Sequence, residues 1–315
     1  MAIIGNSISK ASKLLIQGEL IGLPTETVYG LAGNALNPDA ISKIFEVKNR
    51  PSFDPLILHC ANISQIEKLT TNIPKKAYQL AKEFWPGPLT LLLPRQDAIP
   101  DITCSGLERA AFRIPQHKIA LDLLAELPFP LAAPSANPFG YISPTSAQHV
   151  DKQLGNKINY ILDGKISQVG IESTIVGFEE ERVVIYRLGG LDVNAIEAIV
   201  GPVDVLPYST SSPAAPGMLK SHYSPKKKIV VGNIEVLRKA YPPNKTGILS
   251  YSKIYTGVAE SYQLSREGNM HEAAKNLFSH LRILDDSNID VIISELAPNE
   301  GLGKAINDRL KRASA

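Results

Sequence analysis

Pro24-Thr25-Glu26-Thr27-Val28-Tyr29-Gly30-Leu31, followed by Lys48-Asn49-Arg50-Pro51 and then Pro55-Leu56-Ile57-Leu58-His59, is the stretch whose reading decides the fold and chemistry of this chain. In about thirty-six residues it gathers two cations, a hydroxyl cluster and a histidine around turn-forming Pro and Gly. Guanidinium and ammonium donors match phosphate oxygens, and hydroxyls complete a smaller polar site beside them. The stretch therefore points to an enzyme that holds a phosphorylated ligand next to a small polar one, and not to a scaffold.

Working outward, residues 7–17 place Ile8, Ala11, Leu14 and Leu15 at helical spacing behind an Asn6/Ser7 cap, and Gly18 ends that helix before a strand-like Leu20-Ile21-Gly22-Leu23. Residues 39–47 repeat the helical period and deliver Lys48 and Arg50 at a helix C-terminus. Cations are favoured there by the helix dipole, so a simple C-terminal cap is the competing explanation of the pair. The apolar runs Leu89–Leu93, Ala110–Ile114 and Val183–Tyr186 predict strands, as does Pro128–Leu131, with helices at 75–84 and 117–126. Helices alternating with strands predict a mixed sheet flanked by helices.

At 315 residues the chain suits two domains better than one core. Residues 202–225 change character, with Pro202, Pro207, Ser209-Thr210-Ser211-Ser212, Pro213, Pro216-Gly217 and Pro225, and read as a linker. Beyond it, strands are predicted at 228–231, 246–250 and 291–294 and helices at 269–283 and 302–312, which makes a small second α/β unit. That unit has no glycine fingerprint after its first strand, so its expected role is that of a lid or support. The division expected is a catalytic domain over 1–205, a linker over 206–225 and a small domain over 226–315.

Lys and Arg number 14 against 10 Asp and Glu in residues 226–315, but 19 against 21 before them, so the part carrying the motif is near neutral. That argues against a protein built mainly to coat nucleic acid. Cys60 and Cys104 stand alone, in no CxxC pair and with no His at zinc-finger spacing, so neither a disulfide framework nor a structural zinc is indicated. No signal-like start and no apolar run of about 18 residues appears, and a cytoplasmic location without membrane contact is expected.

Other candidate residues lie at predicted strand ends. Ala132-Ala133-Pro134-Ser135-Ala136-Asn137 and Ser143-Pro144-Thr145 offer hydroxyls and an amide to a base or phosphate, although turn chemistry alone explains such a stretch as well. Gly170-Ile171-Glu172-Ser173-Thr174 presents the same choice. Arg113 interrupts an apolar strand and must meet a partner, either a substrate carboxylate or one from the protein. His59 follows an apolar strand and has a satisfied core histidine as its alternative reading. No HxxxH, GxSxG or Walker A pattern occurs, which sets aside zinc hydrolysis and nucleophilic triads.

Taken together with Pro86-Gly87-Pro88-Leu89-Thr90, Arg113-Ile114-Pro115, Arg187-Leu188-Gly189, Pro216-Gly217-Met218, His222-Tyr223 and Gly301–Leu310, these segments resemble the YrdC-like family of threonylcarbamoyl-AMP synthases in its long form. The resemblance implies a twisted α/β sheet with a concave basic groove, joined to a small Rossmann-like C-terminal domain. It implies synthesis of threonylcarbamoyl-adenylate from L-threonine, bicarbonate and ATP with release of pyrophosphate. That is the first step toward the N6-threonylcarbamoyl modification of adenosine 37 in tRNA, completed by downstream tRNA threonylcarbamoyltransferase proteins, with at most a weak contact to tRNA itself.

Carried over by position, the resemblance implies a threonine site of Thr27, His59, Arg113, Ala133 and Ser173, with Arg113 on the carboxylate. Arg50, Asp54, Arg109, Ser135, Ser143, Arg187 and Tyr223 would lie along the nucleotide, with Lys48 and Arg50 as the catalytic cations at the triphosphate. Asp54 stands where the family commonly has Asn, Phe139 where the residue is usually small, and Lys220-Ser221 is less basic than the family linker. Magnesium is expected to travel with ATP, since no dedicated acidic cage is visible. The linker, through Tyr223, is expected to close over the loaded site and to protect cleavage sites between Ser209 and Lys220. Two rival functions are a double-stranded RNA or tRNA-binding module without catalysis, and a carbamoyl-transfer domain acting on carbamoyl phosphate. Low charge opposes the first, and the absence of acylphosphatase-like and zinc-binding segments opposes the second.

Overall fold

The computed structural model describes residues 1–180, 182–206, 215–216 and 223–315. It opens with β1 (Ile3–Gly5), α1 (Ile8–Ile16), β2 (Ile21–Leu23), β3 (Gly30–Asn34) and α2 (Pro38–Lys48). Both helices start where the sequence supplies a cap. Ser7 Oγ accepts from the Lys10 N–H, and Asn37 Oδ1 accepts from the Asp39 N–H with Pro38 in the first turn. α2 ends because Asn49 adopts a left-handed backbone at φ 54°, which leaves Lys48 on its last turn and Arg50 just past it.

The chain continues through β4 (Ile57–His59), α3 (Ile63–Glu67), α4 (Lys75–Phe84), β5 (Leu89–Pro94) and α5 (Asp101–Cys104). Next come β6 (Arg109–Arg113), α6 (Lys118–Glu126), β7 (Leu131–Ala132), α7 (Ala147–Leu154) and β8 (Tyr160–Leu162). The first part closes with β9 (Thr174–Glu179), β10 (Arg182–Arg187), α8 (Val193–Val200) and β11 (Asp204–Val205). The strand predicted at 128–131 is shifted to Leu131–Ala132, because Pro128 and Pro130 have no N–H to give to a ladder.

These strands form one mixed sheet in the order β1-β8-β2-β3-β7-β4-β6-β5-β9-β10-β11. Alternation of side chains divides its two faces. Leu58, Phe112, Leu91, Leu93, Val176, Val183 and Ile185 pack on one face under Ile41, Ile44, Leu80, Ala81 and Ile196 of the helices. At the β1 side, α1 and α6 bury Ala11, Leu15, Leu123 and Leu124 against Ile21, Leu23 and Leu162. On the opposite face of the central strands, Ile57, Leu92, Ala111, Ile175, Val184 and Tyr186 form a small cluster capped by Ala215. Among the described residues, that cluster contains no helix residue, and the functional cleft lies beside it.

The second part consists of β12 (Lys228–Val231), α9 (Ile234–Leu237), β13 (Thr246–Ser250), β14 (Glu260–Gln263), α10 (Met270–Asp286), β15 (Val291–Ser294) and α11 (Gly303–Ala313). Its strands form an all-parallel sheet in the order β12-β15-β13-β14. α10 and α11 serve two surfaces at once: Leu277, Phe278, Leu281, Ile306 and Leu310 pack both with Ile229, Leu249 and Ile292 of the small sheet and with Val28, Ile142 and Ile171 of the first part. Gly170, at φ +78°, lets α10 approach, since a Cβ there would lie 2.4 Å from Lys275 Cα. Of the expected linker, residues 207–214 and 217–222 lie outside the described residues, and with them most of the expected cleavage sites. Among the described residues, no helix is long and apolar enough to cross a membrane.

Candidate active site

The cleft is lined by Thr25, Thr27, Val28, Arg50, Leu56, His59, Arg113, Ala133, Ser135, Glu172, Ser173, Arg187, Pro216 and Tyr223, among others. Strand register builds its centre. β4 and β6 run parallel with His59 opposite Arg113, and both residues project onto the uncovered face of the sheet with Ile57 and Ala111. The loop between β2 and β3 is closed on itself by Thr25, whose hydroxyl donates to Val28 O at 2.6 Å and accepts from the Thr27 N–H. That turn sets Thr27 Oγ1 2.8 Å from an Arg113 guanidinium nitrogen.

Arg113 is 3% exposed and fixed at three points: it donates to Thr27 Oγ1, to Gly87 O at 3.2 Å and to Glu26 Oε1 at 2.5 Å. The protein carboxylate that an apolar strand demanded of its arginine is therefore Glu26. A guanidinium has five N–H donors, so two remain for a ligand. His59 is buried beside it with Nδ1 3.2 Å from Ile57 O. Burial, reinforced by the Arg113 charge, pushes its imidazole down to about 3, so it is neutral at ordinary pH.

On the far side, Arg187 at the end of β10 donates through Nε and Nη2 to Ser173 O at 3.0 and 2.9 Å, and through Nη2 to Ser173 Oγ at 3.0 Å. The Ser173 hydroxyl also meets Thr90 Oγ1 at 2.8 Å. Burial brings the Arg187 guanidinium down to about 10, still a full cation at neutral pH. Arg50 lies at the outer end, paired with the buried Asp54 carboxylate at 2.9 Å.

Nine of the residues singled out in the sequence thus share one cleft: Thr27, Arg50, His59, Arg113, Ala133, Ser135, Ser173, Arg187 and Tyr223. The other four sit around it. Lys48 is not on the wall. Its Nζ is buried beneath the Pro134–Asn137 loop, donating to Ser135 O at 2.5 Å and Asn137 O at 2.6 Å, and burial with Arg50 nearby holds its ammonium well below the usual range. Asp54 stands behind Arg50, and Ser143 donates to Glu172 Oε1 at 2.5 Å. Arg109 is on the same face of β6 as Arg113 but four residues away, about 13 Å along the strand, with its guanidinium over Tyr186.

Glu26 and Glu172 stand in the sequence motifs without any local sign of a role. Each is a carboxylate held against an arginine at the cleft, Glu26 by Arg113 and Glu172 by Arg309 of α11. Burial pushes the Glu172 carboxyl up, but the Arg309 and Arg187 charges and the Ser143 hydrogen bond together carry it below the usual carboxylate range.

A mixed sheet whose uncovered face presents several fixed cations, small hydroxyls and a neutral histidine, closed on one side by a parallel-sheet unit, defines an α/β class suited to binding a nucleotide together with an amino acid. Residues 13–189 match the family model of Sua5, YciO and YrdC, described as telomere recombination, and residues 191–315 match the model described as threonylcarbamoyl-AMP synthase, C-terminal domain. The chain belongs to this family of threonylcarbamoyl-AMP synthases in its two-domain form. The threonylcarbamoyl-AMP synthase of Bacillus subtilis is 40% identical over 98% of this chain and 92% of its own. That of Pyrococcus abyssi is 39% identical over 96% and 93%. The crystal structure of P. abyssi Sua5 complexed with L-threonine matches with a TM-score of 0.93 at 39% identity, covering 99% of this chain and 98% of that one.

Proposed function

We propose that the protein is an L-threonylcarbamoyladenylate synthase: it condenses L-threonine, bicarbonate and ATP into threonylcarbamoyl-AMP and pyrophosphate. The observation that carries this reading is the pairing, in one cleft, of an Arg113 with two unused donors beside Thr27, His59 and Ser173 and a second cationic wall of Arg50 and Arg187. A zwitterionic amino acid fits the first group by its carboxylate, and phosphates fit the second.

Bicarbonate takes up a proton and loses water to give CO2, and the threonine amine adds to that CO2 and sheds a proton to give a carbamate. A carbamate oxygen then attacks the α-phosphorus in line, and the bond to the bridging oxygen of the β-phosphate breaks as pyrophosphate leaves. Such a transfer needs positioning and charge neutralisation more than a protein nucleophile. Arg113, fixed by Glu26, orients the amino acid, the neutral His59 adds no charge that would repel its ammonium, and Arg50 faces the departing phosphates. Lys48 acts one layer back, holding the Ser135 backbone at the nucleotide. Asp54 and Ser143 serve likewise through Arg50 and Glu172. Magnesium enters with ATP as part of that substrate; among the described residues no group of three His, Cys, Asp or Glu stands where it could hold a metal. The product serves N6-threonylcarbamoylation of tRNA adenosine in the cytoplasm, through downstream transferase proteins.

Pyrophosphate release should require ATP, L-threonine and bicarbonate together. Serine, lacking one methyl, should be used roughly 10–200-fold less well. Equal release with threonine omitted would overturn the assignment.

A further inference from the structure

Glu172 poses a problem of charge. Its carboxylate lines the cleft next to Ser173, where a triphosphate would meet it as a like charge. The compensating charge comes from the second domain. Arg309 of α11, fully buried, donates to Glu172 Oε2 through Nε at 3.2 Å and Nη2 at 3.1 Å, and through Nη1 to Leu188 O at 2.5 Å and Asp308 Oδ2 at 2.9 Å. Leu188 directly follows Arg187, which holds Ser173, so one guanidinium ties together the carboxylate and the strand end that carry this wall.

The same helix holds a second wall residue. Tyr223 lines the cleft with a left-handed backbone at φ 68°, a conformation that a bulky side chain keeps only when its surroundings enforce it. Much of what packs on its ring comes from the second domain: the Arg312 and Arg309 guanidinium carbons lie 4.8 and 5.3 Å from the Tyr223 ring centroid, and Phe278 stacks on it at 5.4 Å. Asp308 braces both arginines, at 2.9 Å from Arg309 and 3.5 Å from Arg312.

Resting on the synthase reading, we infer that Arg309 and Arg312 are positioning residues of the active site, neutralising Glu172 and fixing Tyr223, so that the second domain completes the nucleotide wall of the cleft. It acts as a structural half of the site, through α11. The charged and titratable groups facing Glu172 are Arg309 from α11, Arg187 from β10 and Tyr223.

The test compares full-length wild type with Arg309→Met, Arg309→Lys, Glu172→Gln and the double variant Arg309→Met/Glu172→Gln, in pyrophosphate release and in calorimetric titration with ATP. Arg309→Met should lose roughly 100-fold in kcat/KM for ATP, the scale on which about 1 Å of misplacement is felt. Its ATP KM should rise more than its kcat falls, because a carboxylate stripped of its partner repels the phosphates. Removing that carboxylate in the double variant should recover about tenfold, a coupling expected only of residues in direct contact. Arg309→Lys, which keeps the charge but not the fork, should fall between. An Arg309→Met enzyme within about twofold of wild type in both constants, or a folded double variant no better than the single, overturns the inference. If Arg309→Met does not fold, the double variant decides: folded and active supports neutralisation, folded and inactive refutes it. Wild type that releases no pyrophosphate refutes the synthase reading alone, and the ATP titrations then still decide the role of Arg309, weakened binding supporting it and unchanged binding refuting it.

Discussion

Arg50 and Asp54 meet at 2.9 Å in a pair that solvent hardly reaches, with 7% and 0% of their side chains exposed. Arg50 also donates to Asp54 O at 3.0 Å and Pro55 O at 2.9 Å, and its guanidinium carbon lies 5.9 Å from the centre of the Phe139 ring. Asp54 and Phe139, where the family resemblance leads one to expect Asn and a small residue, therefore both contact the same cation. Asp54 gives Arg50 a counter-charge and Phe139 gives it an aromatic face.

Asp54→Asn should separate the two consequences of that counter-charge. Loss of a charge-assisted contact in a buried place should lower the unfolding free energy by about 1–3 kcal/mol. Arg50, no longer partly neutralised, should bind phosphate better, so the KM for ATP should fall. Thermal unfolding and steady-state pyrophosphate release measure the two effects, and a higher KM for ATP would show that Asp54 orients Arg50 more than it restrains it.

Lys48→Met keeps the length of the side chain and removes the ammonium that joins Ser135 O to Asn137 O. The buried Asn137 carbonyl is then left short of a donor, at about 1–3 kcal/mol, while the part-buried Ser135 carbonyl keeps the Asn137 N–H. Because Ser135 lines the cleft, the KM for ATP should rise together with the loss of stability. Arg50→Ala should lower turnover and also lower the melting temperature, because it leaves the buried Asp54 carboxylate without its cation. If Lys48→Met destroys turnover while both the ATP affinity and the melting temperature stay at wild-type values, Lys48 acts on the reacting phosphates and not through the loop.

Local signals in the sequence predict α1, α2, α4, α6, α10 and α11, where Ser7, Asn37 and Asn269 cap three of the periodic segments, but not α3, α5, α7, α8 or α9. The 75–84 helix and the 228–231, 246–250 and 291–294 strands fall at the predicted residues. The short strands β1, β8 and β11 carry too few residues to show a period, and the longer β3, β9 and β14 also went unpredicted. At the site, residues that point into the cleft belong to turn and strand-end motifs and could be read. Their supports could not. Glu26 and Arg113 are 87 positions apart, and Glu172 and Arg309 are 137 apart, and nothing local in a sequence marks a partner at that range. The seat of Lys48 beneath the 134–137 loop was hidden for the same reason: a helix C-terminus signals a cation but not the direction its amine takes.

His59 gives the acid side of the stability curve a recognisable slope. Its folded value of about 3 lies below the ordinary histidine value of about 6.5, because burial and the Arg113 charge disfavour the imidazolium. Between those values the unfolded chain binds a proton that the folded one does not, so the contribution is fully present above about pH 6.5 and is lost as pH falls toward 3. His149, lowered to about 4 by burial and by Arg282, acts in the same direction. Replacing His59 with Asn should flatten the dependence by about 1.4 kcal/mol per pH unit between pH 4 and 6. Urea denaturation of both proteins across that range gives the difference directly, and parallel curves would mean that His59 is protonated in the folded protein.

Arg113 and Glu26 make the sharpest test of the amino-acid end of the cleft. The arginine is committed at Thr27, Gly87 and Glu26, so its remaining donors have a fixed direction. A lysine at 113 keeps the charge but cannot satisfy those three partners and still present two parallel N–H groups to a carboxylate. Arg113→Lys should therefore raise the KM for L-threonine by roughly 10- to 150-fold, the loss of about 1.5–3 kcal/mol from one charged hydrogen bond. Its KM for ATP should change little, since Arg50 and Arg187 remain in place. Glu26→Gln should reproduce a smaller part of the same effect: the amide oxygen can still accept from Arg113, but the ion pair that holds the guanidinium at 2.5 Å is gone. Steady-state kinetics with each substrate varied in turn separates the two ends. A rise in the KM for ATP with no change for L-threonine would place the nucleotide, and not the amino acid, against Arg113.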